Sequence, residues 1–175
     1  MFKVIQDKFK IKSAKKFVED KLNQESSLNN KKGIGNVACI VDMDQFNNAE
    51  IFKELKNTLG LKPNAVQIIG YKRGRDKNGM FSIPFCTDKD LGWNGSVENG
   101  DFSEFMGRPY DVLINYFTDD RLFLKLMSLH VDARIRVGLV GGDNALSDLI
   151  LGAQMNDYNT FKNELKKYLT ILNEI

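Results

Sequence analysis

The stretch Asn36-Val-Ala-Cys-Ile-Val-Asp42 holds five consecutive apolar side chains between two polar ends. A strand with no polar face has no side for water, so it belongs inside a parallel sheet covered on both faces. The residues that follow agree. Ile51, Leu55 and Leu59 recur at helical spacing, Asn48 stands where a cap is needed, and Gly60 ends the run, so a helix is expected from about 48 to 59. A second apolar run, Ala65-Val-Gln-Ile-Ile-Gly70, comes next. Strand, helix and strand within about 35 residues make one βαβ unit.

The alternation resumes after a gap. Asp111-Val-Leu-Ile-Asn-Tyr116 and Arg134-Ile-Arg-Val-Gly-Leu-Val140 read as strands. A helix from about Asp119 to His130 lies between them, with Thr118 as its candidate cap. Leu149-Ile-Leu is a short strand or helix. A last helix runs from about Asn159 to Leu172, with Phe161, Leu165, Leu169 and Leu172 on one face. Alternating strands and helices predict a Rossmann-like three-layer α/β/α domain with a mostly parallel sheet over residues 33–175.

Residues 1–32 read as a basic helical arm preceding that domain. They hold nine lysines against four acidic residues, a net of +5 within a chain whose total is +2. The helix is expected from about Phe2 to Leu28, with Ile11, Phe17, Val18 and Leu22 buried against the α/β domain and the lysines in water. Two other uses fit such an arm: an anionic membrane surface, or the phosphates of a nucleic acid.

Between Tyr71 and Tyr110 the periodicity is lost, apart from a short strand expected at Met80–Phe85 and a short helix at Phe102–Met106 capped by Asp101. Loops beyond ~15 residues are uncommon in compact domains and often functional. This one carries Lys72, Arg73, Arg75 and Lys77, and the only tryptophan, in Gly92-Trp93-Asn94-Gly95. The ordinary role for such a Trp is to fold back over the sheet, and the functional one is to meet a partner.

The composition excludes several classes. With 42% hydrophobic and 27% charged residues the chain is ordinary for a globular protein rather than a disordered one. No apolar run approaches the ~20 residues of a membrane span, so no transmembrane segment is expected. Cys39 and Cys86 form no disulfide framework or zinc motif, which favours a cytoplasmic location. A single histidine, His130, sits near a helix end, where the dipole explains it better than catalysis does. No P-loop and no G-x-G-x-x-G is present.

In open α/β sheets ligands bind beyond the carboxyl ends of the strands. Those ends are Asp42-Met-Asp44-Gln45, Gly70-Tyr-Lys-Arg73, Asn115-Tyr-Phe117 and Gly141-Gly-Asp-Asn144. Arg73, Trp93 and Asn115 are the binding candidates.

Two of these ends resemble motifs of the haloacid dehalogenase superfamily of phosphohydrolases: the D-x-D of Asp42 and Asp44, and Gly142-Asp143-Asn-Ala-Leu-Ser-Asp148. The resemblance implies Asp42 as nucleophile, Asp44 as acid–base, and Asp42, Asp143 and Asp148 as holders of Mg²⁺. The chain departs from that pattern at Phe46 and Gly70. Tyr110-Asp-Val-Leu-Ile-Asn-Tyr116 followed by Ala133-Arg-Ile-Arg-Val-Gly138 is similar to the N-terminal half of heptosyltransferase-type glycosyltransferases, which implies the fold rather than the activity. Taken whole, Leu91-Gly-Trp-Asn-Gly95, Arg108 to Tyr116, Arg136-Val-Gly138 and Glu164 to Asn173 resemble a family of small cytoplasmic proteins of Bacteroidota known as a domain of unknown function.

Two functions follow. The first is a non-catalytic intracellular binding module without a cofactor, engaging a protein partner through its arm or long loop. The second is a Mg²⁺-dependent phosphohydrolase at the strand ends.

Overall fold

The computed structural model describes residues 1–24, 30–74 and 79–175. The end of the expected arm helix (25–28), Arg75 and Lys77 lie outside the described residues. A long helix, α1 (Phe2–Leu22), opens the chain. The strands are β1 (Val37–Asp42), β2 (Val66–Tyr71), β3 (Phe85–Cys86), β4 (Tyr110–Tyr116), β5 (Ala133–Leu139) and β6 (Leu149–Leu151). The remaining helices are α2 (Leu55–Thr58), α3 (Gly100–Met106), α4 (Leu122–His130) and α5 (Tyr158–Ile171).

All five strand pairings are parallel, in the order β3-β2-β1-β4-β5-β6. The chain winds outward from β1 to β3, then returns to lay β4 on the other side of β1. This is the doubly wound arrangement, and its switch point lies between β1 and β4. Every side chain of Val37–Val41 is fully buried, as the apolar run requires. Val37, Cys39 and Val41 pack with Phe52, Leu55, Phe161 and Leu165 under α2 and α5. Ala38 and Ile40 pack on the opposite face with Phe102, Phe105, Leu124 and Met127 of α3 and α4. Ala14 and Val18 of α1 belong to that second cluster, so the arm is part of the third layer.

Several boundaries differ from the sequence expectation, each for a local reason. The first half of the 48–59 helix is a 3-10 turn, Ala49–Glu54, and Asn48 makes no side-chain cap. The short strand after β2 is Phe85–Cys86 rather than Met80–Phe85. Asn99, not Asp101, caps α3 by accepting from the Phe102 amide at 3.0 Å. Thr118 does not cap α4, which begins at Leu122, because its hydroxyl is taken by Gln45. In the arm, Val18 is buried as expected, Phe17 is only half-buried, and Ile11 and Leu22 are 41% and 36% exposed. The docked stripe is instead Ala14, Phe17 and Val18, with Phe17 against Gly95 of the loop before α3.

The amino-terminal edge of the sheet is closed by charge. Arg134 donates to both carboxylate oxygens of Glu174, at 2.9 and 2.8 Å, and to the Gly33 carbonyl. Glu174 also accepts from the Gly33 amide at 2.9 Å. Asp111 accepts from Lys31 and from the Gly35 and Asn36 amides. The lead into β1 and the end of α5 are thereby fixed to β4 and β5.

Arg134 beside Glu174 holds that carboxyl down to about 2. A carboxyl depressed on folding stabilises above its unfolded value and loses that stabilisation as pH falls toward the folded one. The stability of this protein should therefore drop between roughly pH 4.3, the ordinary glutamate value, and pH 2. Glu174→Gln should cost on the order of 1–3 kcal/mol at neutral pH and flatten that acid limb, as read by urea unfolding at several pH values.

Candidate functional site

The carboxyl ends of β1, β2 and β4 bring polar groups together, as the fold dictates. Asp42, buried at the end of β1, accepts from the Asp44 amide at 3.0 Å and so shapes the turn that follows. Burial pushes its carboxyl above the usual range, opposed by that amide bond. Asp44 accepts from the Arg73 amide at 2.8 Å and lies 3.9 Å from the Lys72 ammonium. At the switch point itself Gln45 and Thr118 form a reciprocal clasp. The Gln45 amide donates to the Thr118 hydroxyl, and the Thr118 amide donates to Gln45, both at 3.0 Å. The crevice in which this fold commonly seats a ligand is thus bridged by its own side chains.

The carboxylates implied by the haloacid dehalogenase likeness do not converge. Asp143 pairs with Lys125 at 3.1 Å and caps the short turn after it through the Ala145 amide. Asp148 accepts from the Arg136 amide, in the middle of β5, and precedes a true sheet strand, β6. It therefore sits well below the strand end that carries Asp42. Among the described residues no group of three or more His, Cys, Asp or Glu side chains is placed to hold a metal ion. Asp42, Asp143 and Asp148, the Mg²⁺ ligands that the likeness implies, each accept instead from a neighbouring backbone amide.

The three binding candidates also lie apart. Arg73 is exposed after β2. Asn115 is buried in β4, where its amide donates to the Leu146 carbonyl at 3.1 Å and ties down the turn before β6. Trp93 does not fold over the sheet. It is 49% exposed, with the Lys10 ammonium 5.8 Å from its ring.

What packs on the body at that point is the backbone around the Trp. Asn94 adopts a left-handed conformation, and its amide donates to Ser13 of α1. Gly95 has φ +76°, and a β-carbon there would lie 2.8 Å from Phe17. His130 Nε2 donates to the Gly95 carbonyl at 2.7 Å, while its ring stacks on Phe17 at 4.7 Å. The arm and the long loop, unassigned separately, are each other's docking partners.

This docking leaves a cleft of about 790 Å³ between the first four turns of α1, the start of α4 and the turn after β3. Its apolar lining is Ile11, Leu91, Leu122, Phe123 and Leu126. Its charged lining is Lys3, Lys10, Lys15, Lys89 and Arg121 against Asp7 and Asp88. The Asp88 carboxylate is already engaged, accepting from the Tyr71 hydroxyl at 2.7 Å. Burial, reinforced by Asp88, pushes the Tyr71 phenol up, so it stays a neutral donor. Arg121 reaches the same hydroxyl and is held at 2.8 Å by Asp119. Sequence reasoning placed none of these groups in a site. The usable signal was the spacing of Lys3, Asp7 and Lys10, which share the face of α1 that Ala14 and Val18 bury.

Gly95→Ala should unseat the arm, because it adds backbone strain to a clash with Phe17. The expected cost is about 1–3 kcal/mol, with faster amide exchange over residues 13–18 and unchanged exchange in β1 and β4.

No curated protein and no solved structure matches this chain. A family model matches residues 10–172, which carry the whole sheet and all but the first turns of the arm, and the chain accordingly belongs to DUF6913, a family of unknown function.

Proposed function

We propose that this protein is a non-catalytic intracellular binding module whose ligand seat is the cleft walled by the arm, and that the ligand is an anionic amphiphile: an apolar body carrying a carboxylate or phosphate. The observation that carries this reading is the lining of that cleft, in which an apolar floor faces five cationic side chains and two acidic ones. Its volume of about 790 Å³ lies within the ordinary range of small-molecule sites. The apolar floor offers burial for a chain, and the surplus of positive charge offers a head-group contact. The strand-end acids are engaged by turn amides and internal cations, which favours the cleft as the seat. Two buried free thiols, Cys39 and Cys86, are consistent with a reducing compartment.

Decanoate and decyl phosphate, used below their micelle concentrations, are suitable calorimetric probes, and they separate a carboxylate from a phosphate head. Saturable binding of one or both is expected, with the uncharged decanol clearly weaker. Lys10→Glu combined with Lys89→Glu should weaken anion binding about tenfold and leave decanol unchanged. Equal binding by wild type and variant would overturn the assignment of the cleft. Phosphate release from decyl phosphate with Mg²⁺, abolished by Asp42→Asn, would overturn the non-catalytic reading.

A further inference from the structure

The arm has a second face that the docking does not use. Ala14, Phe17 and Val18 turn toward the body, and Lys3, Asp7 and Lys10 continue that side into the cleft. Helical spacing then sends Phe2, Ile5 and Phe9 to the opposite side, at i, i+3 and i+7. They are 82%, 47% and 58% exposed, so three large apolar groups share one solvent-facing patch. The same side continues as Lys12 and Lys16, with Lys8 beside it, all three exposed. Asp7, the one acidic residue among the first 16, faces the cleft instead. The outer face is therefore an apolar tip on a stem that carries only positive charge until Glu19.

We infer that this outer face of α1 docks on an anionic lipid bilayer, with Phe2, Ile5 and Phe9 entering the headgroup–acyl boundary and Lys8, Lys12 and Lys16 meeting the lipid phosphates. The charge complementarity decides the occupant. An apolar patch alone would suit any covering partner, whereas an apolar tip followed by Lys8, Lys12 and Lys16, with acidic residues entering only at Glu19 and Asp20, matches the layered chemistry of an anionic membrane surface. Nucleic acid is less well served, because the three apolar side chains would lie against a phosphate backbone. The inference goes beyond the cleft and does not depend on it, since the two use opposite sides of the helix.

The test is sedimentation of the full chain with phosphatidylcholine vesicles, with and without phosphatidylglycerol. Partition is expected only on the anionic vesicles and should fall as salt is raised. Phe2→Ser, Ile5→Ser and Phe9→Ser combined should reduce it by about tenfold or more, as should Lys8→Glu, Lys12→Glu and Lys16→Glu combined. Both variants should keep the wild-type melting temperature, because every substituted side chain is exposed. They should also keep decyl phosphate binding. Lys89→Glu, confined to the cleft, should leave vesicle partition unchanged. Equal partition on neutral vesicles, or undiminished partition of either triple variant, would overturn the inference. So would saturable binding to single-stranded RNA without vesicle binding, or a dimer in solution that the serine variant dissociates while no vesicle binding is seen.

Discussion

A central strand without a polar face must be roofed twice. β1 is buried over its whole length, and its neighbour β4 repeats the demand. On one side α2 and α5 answer it. On the other, α3 and α4 answer it, and Ala14 and Val18 of α1 join their cluster. That requirement fixes the rotation of α1 about its own axis. Once Ala14, Phe17 and Val18 point inward, the helical repeat sends Lys3, Asp7 and Lys10 to the same side and Phe2, Ile5 and Phe9 to the other. The cleft and the free face are both consequences of one packing contact.

The strength of that contact is bounded by what it buries. A fully buried Val or Phe contributes roughly 1.5–3 kcal/mol, Ala14 offers only a methyl group, and Phe17 stays half-buried. The two polar ties, Ser13 to Asn94 and His130 to Gly95, each add an ordinary hydrogen bond. The arm is therefore held by far less than the sheet, and its first turns are held by less still. Local opening of such an element costs much less than global unfolding. A cleft with one wall of this kind can widen without disturbing β1.

The sheet was legible because its signal is redundant. β1 is a continuous apolar run, the other long strands are largely apolar, each is followed by a helical repeat or a turn, and the parallel order follows from that alternation. The arm was legible as a helix but not as to its inner face, because its apolar groups change sides halfway. Ile5, Phe9, Ile11 and Leu22 scan as well as Ala14 and Val18, and only the three-dimensional fit to Gly95 selects among them. The cleft was hidden for a related reason: its residues come from three distant segments, and none is unusual in its own stretch. The clasp between Gln45 and Thr118 joins residues 73 positions apart, and no local pattern marks it.

The motif likenesses have physical explanations of their own. Asp42 and Asp44 stand where a chain leaving a buried strand must turn sharply, and a short carboxylate that accepts a backbone amide two residues on is a common solution. Arg136 reaches from β5 to the Ser128 and Val131 carbonyls and so satisfies the end of α4, whose last carbonyls have no partner within the helix. Gly138 leaves room for the Ser147 side chain, whose hydroxyl a β-carbon there would displace. A strand that must staple the preceding helix and admit the next turn arrives at Arg-x-Gly on structural grounds. Such short patterns report the geometry of strand ends in doubly wound sheets, and the same geometry arises whether or not the edge performs chemistry.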